Sequence, residues 1–99
     1  MAQREINWTP RALRNKFDIL DFWYNHNQST VYSLKLERLF NTAVKHAARA
    51  PEAGRPFDVP RNIRYVIIRN FRLYYVYSNS RLTVLSIWDS RRNPKGFKL

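Results

Sequence analysis

The sequence predicts an α+β fold in which a helical hairpin packs on one face of a small sheet, in the order β-α-α-β-β-β. Three observations predict it. The stretch Ile63–Asn93 holds three runs rich in Val, Ile, Tyr, Phe and Trp, separated by the short polar breaks Arg69-Asn70 and Asn79-Ser80. That is the composition of strands joined by tight turns. Upstream, two segments carry apolar residues at helical spacing, with a short polar break between them. A sheet this apolar must be covered on at least one face, and those helices are the available cover.

The chain supports each element in turn. Arg4–Trp8 reads as a short strand. Thr9-Pro10 opens a helix, since Thr is a good N-cap and Pro is tolerated at the first helical position. The helix is predicted to about Tyr24 from the stripe Leu13, Phe17, Leu20 and Tyr24, joined by Ala12, Ile19 and Trp23. Asn25-His26-Asn27-Gln28 breaks it. Ser29 or Thr30 caps a second helix with the stripe Tyr32, Leu36, Leu39, Phe40, Ala43 and Ala47, ending near Ala50 before Pro51. A short break between amphipathic helices makes an antiparallel hairpin. Pro51–Asn62 holds three prolines and one glycine and is expected to be a loop. Strands follow at Ile63–Ile68, Phe71–Tyr77 and Leu82–Trp88. The tail Ser90–Leu99 carries Arg91, Arg92, Lys95 and Lys98 with Phe97 and Leu99 interleaved.

Side chains alternate across a strand, so Phe71, Leu73, Tyr75 and Tyr77 share one face and Arg72, Tyr74 and Val76 the other. If Asn79-Ser80 is a two-residue turn, Arg72 falls beside Ile87 and Tyr74 beside Leu85, on the face opposite Trp88. Continuing that face reaches Asp89 and Arg91. One face is therefore expected on the helices, and the other as a half-open surface with Arg72 in its middle.

Ninety-nine residues suit a single domain with one core. The absence of cysteine excludes disulfides and fits a reducing, cytoplasmic setting. No apolar run approaches the length of a membrane span, and no secretory leader is expected. Eighteen Lys and Arg against seven Asp and Glu give a net charge of +11. Residues 59–99 contribute +8 of it, with Asp89 their one acid. Such a field favours a polyanion or an acidic partner.

Enzymatic motifs are scarce. His26 and His46 have no metal-ligand spacing and read as solvated, so no metal is expected. Nor is a cofactor, since there is no glycine-rich phosphate loop. Asp89 reads as a structural partner for Arg91 or Arg92, with a catalytic or binding role as the alternative. Arg64, Arg72, Arg91 and Arg92 cluster at the sheet and its exit, where guanidinium groups can hold phosphate or carboxylate. Arg69 and Arg81, in turns, read as solvated. Arg72, mid-strand among apolar residues, needs an internal partner or a ligand. Among the aromatics, Tyr74, on the Arg72 face, is the best candidate to contact a partner.

Four motifs in order, INWTPRAL, PEAGRP, FRLYYVY and VLSIWDSRRNP, resemble the RelE/ParE superfamily of toxins from bacterial type II toxin–antitoxin modules. The resemblance covers about residues 4–95. It implies a twisted, mainly antiparallel sheet with the hairpin on one face, and a growth-inhibiting toxin neutralised by a cognate antitoxin. RelE-like members cleave mRNA on the ribosome, whereas ParE-like members poison DNA gyrase. Where several nucleases of the superfamily end in a His-Tyr pair, this chain has Ser90-Arg91, and no His or Lys lies between Ile63 and Asn93. PEAGRP and the tryptophan in the last strand are also more ParE-like. The resemblance therefore implies a ParE-like toxin acting on gyrase, with a ribosome-dependent mRNA endoribonuclease as the alternative. Under the alternative, Arg72, Asp89 and Arg91 would be the catalytic residues. Under either, Arg64, Arg72, Tyr74, Arg91, Arg92 and Lys95 would meet target or antitoxin.

Overall fold

The computed structural model describes residues 4–27, 30–92 and 94–99. In chain order these form β1 (Glu5–Trp8), α1 (Pro10–Asn27), α2 (Thr30–Arg49), a 3-10 turn (Pro51–Ala53), β2 (Arg55–Asp58), β3 (Ile63–Ile68), β4 (Phe71–Tyr77), β5 (Arg81–Asp89) and a second 3-10 turn (Pro94–Gly96). The sheet order is β1-β5-β4-β3-β2. Only the β1–β5 pairing is parallel; the other three are antiparallel. The α+β class and the mainly antiparallel sheet are thus as the sequence predicts.

The helices pack against each other in antiparallel fashion. Ser33 Oγ donates to the Leu20 carbonyl at 2.7 Å, Trp23 meets Tyr32 edge-to-face at 4.9 Å, and Lys16 pairs with Glu37 at 3.8 Å. Together they cover one face of the sheet. Leu36, Phe40, Val44, Ala47 and Ala48 of α2, with Ala12 of α1, pack on Phe71, Leu73, Tyr75, Leu82, Val84 and Ile87.

Three expectations are corrected. The segment after α2 is not wholly loop: β2 adds a fifth strand there, paired with β3. It tolerates Pro56 because it lies at the sheet edge, where a missing N–H costs no ladder bond.

The second correction is the orientation of α1. Leu13, Phe17 and Tyr24 are 37%, 59% and 48% exposed, whereas Ala12 is fully buried. The helix seats on Ala12, Ile19 and Trp23, joined from the predicted stripe by Leu20. Its inward side includes Asn15, whose Oδ1 accepts from the Ile87 N–H and the Ser86 hydroxyl, both at 3.1 Å. Beyond Trp8, β1 no longer pairs with β5, and α1 covers the strand edge so exposed. The helix also runs past Tyr24 to Asn27; Gln28 and Ser29 lie outside the described residues.

The third correction is register. Asn79-Ser80 is the expected two-residue turn, closed by Ser78 N–H to the Arg81 carbonyl at 2.8 Å. Tyr77 pairs with Leu82 and Tyr75 with Val84, but Tyr74 pairs with Ser86 and Arg72 with Trp88. Leu85 is the extra residue of a β-bulge, and one extra residue turns the rest of β5 over.

Candidate functional site

The bulge decides what faces outward beside Arg72. Trp88, not Ile87, is its neighbour, and the face continues to Ser90 and Arg92 instead of Asp89 and Arg91. These residues, with Phe57, Tyr74 and Phe97, line a cleft of about 280 Å³ on the side of the sheet away from the helices. The Arg72 guanidinium lies 5.1 Å from the centre of the Tyr65 ring, and that of Arg92 lies 5.3 Å from Trp88. Such cation–π contacts stabilise a guanidinium without satisfying its N–H donors. Among the described residues, neither guanidinium makes an ion pair at contact distance or a side-chain hydrogen bond, although the Arg92 charge is close enough to help stabilise the Asp89 carboxylate. Arg72 is thus held in place, half-buried, with its donors unspent.

Tyr74, expected to meet a partner, is only 3% exposed. It is the floor of the cleft, roofed by Phe57 and Phe97, each 4.9 Å away between ring centres.

Asp89 and Arg91 lie elsewhere. They line a groove of about 650 Å³ between the second half of α1 and the end of β5, walled by Ile19, Phe22, Trp23, His26 and Ile87. Arg91 grips the Asp89 carboxylate through Nε to Oδ1 at 3.1 Å and Nη2 to Oδ2 at 3.0 Å, and its amide donates to Oδ1 at 2.9 Å. Those hydrogen bonds hold the Asp89 carboxyl below its ordinary range. Phe22 is 56% exposed at the groove rim.

Arg64 belongs to neither cavity. Its Nη1 donates to the Glu52 and Gly54 carbonyls at 3.2 and 2.8 Å, pinning the segment before β2. Lys95 is exposed on the tail. The structure therefore brings together Arg72, Tyr74 and Arg92, and separates them from Asp89 and Arg91. Arg92 lines both cavities, as does Trp88.

Sequence reasoning missed Phe57, Trp88 and Phe97 as parts of the outer cleft, and Phe22 as part of the groove. Phe97, an aromatic in a cationic tail, carried some signal; the bulge that turns Trp88 outward carried none.

Chemically, the outer cleft offers two guanidinium groups and several aromatic rings, but its lining has no carboxylate, imidazole or amine. It can hold an anion and has nothing suited to moving a proton at neutral pH. Among the described residues no cluster of three or more His, Cys, Asp or Glu could hold a metal ion, and no helix is long and apolar enough to cross a membrane.

Residues 6–94 match the family model described as "ParE toxin of type II toxin-antitoxin system, parDE". The fold is similar to a chain of the chromosomal ParDE TA system from P. aeruginosa, with a TM-score of 0.71 and 21% sequence identity. The match covers 86% of this chain and 94% of that one. No curated protein matches the sequence significantly.

Proposed function

The chain belongs to the ParE toxin family of type II toxin–antitoxin systems, and from that premise we propose that it arrests growth by binding DNA gyrase in the cytoplasm, without chemistry of its own, until a cognate antitoxin silences it. The observation that carries this reading is the segregation of its charged groups. Arg72 faces the outer cleft, while Asp89 is tied to Arg91 in the other groove. An RNA-cleaving site needs a base, an acid and a phosphate-steadying cation around one reacting group. Here Arg72 stands apart from the carboxylates and the His26 imidazole, which line the other groove, and there Asp89 is engaged by Arg91.

The antitoxin reading draws on the α1–β5 groove. Its apolar wall with exposed Phe22 suits an apolar segment, and although Asp18 lines the groove and Asp89 engages Arg91, Arg92 keeps donors for an acidic residue of that segment. The open reading frame beside this one is expected to encode a small acidic protein with an N-terminal DNA-binding half.

Two assays on purified protein test the proposal. The toxin is expected to inhibit gyrase supercoiling and to leave ribosome-bound mRNA intact in a translation extract. Intact supercoiling together with mRNA cleavage that needs Arg72 and Asp89 overturns it and returns the endoribonuclease.

A further inference from the structure

We propose that the C-terminal segment Pro94–Leu99 is a built-in occupant of the outer cleft, and that the uncovered cleft takes an acidic peptide segment of another protein carrying an aromatic side chain. The inference stands apart from the gyrase reading, because it concerns a different surface and is tested without gyrase.

The tail itself shows what the cleft accepts. The Phe97 ring sits among three others, 4.9 Å from Tyr74, 5.4 Å from Trp88 and 5.9 Å from Phe57. Gly96 passes close over Trp88, where an added Cβ would lie 3.4 Å from the indole. The Phe97 amide bonds within the tail, to the Pro94 carbonyl at 3.0 Å. Ring packing, not a strand ladder, seats Phe97, and the ring remains only half-buried. This is an aromatic socket holding a replaceable plug.

The plug leaves the cleft's charge unanswered. Among Pro94–Leu99 no side chain is acidic, and the Arg72 and Arg92 guanidinium groups that line the cleft keep their donors unspent. A segment presenting a ring with neighbouring Asp or Glu keeps the socket filled and gives both arginines a forked partner.

Ring geometry favours a peptide over a nucleic acid. Phe97 meets Phe57 and Trp88 at interplanar angles of 75° and 77°, and Tyr74 at 52°. The socket therefore encloses an inserted ring with edges and tilted faces. Single strands instead bind by laying successive bases flat on aromatic platforms.

The probe is a short fluorescent peptide of Asp and Glu with one central Trp, read by anisotropy, with circular dichroism to check that each variant is folded. Phe97→Ala is expected to bind it about tenfold more tightly than the unaltered chain, because a site closed most of the time lowers apparent affinity by its open fraction. In that background Arg72→Ala abolishes most of the gain, Arg69→Ala in the β3–β4 turn leaves it, and a peptide with Ala for Trp binds far more weakly. If Phe97→Ala does not fold, a chain ending at Arg92 supplies the same reading. Equal affinity with and without the Phe97 ring overturns the plug. Indifference to Arg72, or displacement of the peptide by oligothymidylate at lower concentration than by unlabelled peptide, overturns the acidic peptide as its ligand.

Discussion

Tyr75 offers the sharpest test of how this fold is held together. Its side chain is fully buried, and its hydroxyl donates to the Pro51 carbonyl at 2.6 Å. Burial raises the phenol's pKa, so it stays a protonated donor across the working range. Tyr75→Phe keeps the ring and removes the donor, leaving a buried carbonyl unpaired. The cost of one unsatisfied buried group is about 1–3 kcal/mol, and the lower half of that range applies because only a single neutral bond is lost. For a domain of this size each kcal/mol lowers the melting temperature by about 4–8 °C, so a fall of at least about 4 °C is expected. Urea unfolding followed by tryptophan fluorescence measures the loss, and the slope should not change. The same hydroxyl also explains Gly54. An added Cβ there would overlap it, although the Gly54 backbone is ordinary extended chain, φ −70° and ψ 157°. Gly54→Ala should therefore destabilise the unaltered protein more than it destabilises Tyr75→Phe. A loss below about 0.3 kcal/mol for Tyr75→Phe, or strict additivity of the two changes, would refute the reasoning.

Other outcomes follow from the same structure. Thr9 Oγ1 accepts from the Ala12 amide and donates to the Leu85 carbonyl, both at 3.1 Å. Thr9→Ala should thus cost about 1–2 kcal/mol in thermal unfolding, with most of it restored by Thr9→Ser. Asp89 titrates lower in the fold than the roughly 3.9 of an unfolded chain, because Arg91 donates to its charged form. Its ionised form therefore stabilises at neutral pH, and that contribution fades as pH falls below about 4. The stability gap between the unaltered protein and Asp89→Asn should narrow over that window; a gap constant with pH rules the pairing out as its cause. Phe22→Ser, on an exposed ring, should move stability by less than about 0.5 kcal/mol yet weaken antitoxin capture measured by calorimetry.

Much of the fold was legible because its signals are local. Thr9-Pro10 marks a helix start wherever it sits, and Asn79-Ser80 closes its turn as its chemistry requires. The runs from Ile63, Phe71 and Leu82 carry strand composition on their own. What the sequence hid depends on neighbours. Arg55–Asp58 looks like loop because Pro56 is poor strand material, and only its position at the edge makes it acceptable. The two apolar stripes of α1 are comparable in size. The choice between them rests on Asn15, whose amide meets the open edge of β5, a partner that exists only after the sheet has formed.

The site was harder to read for a single reason. Up to Val84 the alternation along β5 follows the turn, and every pairing counted back from Asn79-Ser80 is right. Leu85 then adds one residue. From there Trp88 goes outward to Arg72 and Asp89 comes to pair with Phe71, on the side of α1. No side chain in VLSIW announces a bulge; the cause lies partly in α1 and the residue that caps it, where Thr9 holds the Leu85 carbonyl and Asn15 the Ile87 amide. Those two hydrogen bonds are therefore remote from the outer cleft yet govern its composition. They keep the one acid among residues 59–99 out of a cleft lined by two guanidinium groups, and that exclusion leaves the outer face with arginines and rings but no carboxylate.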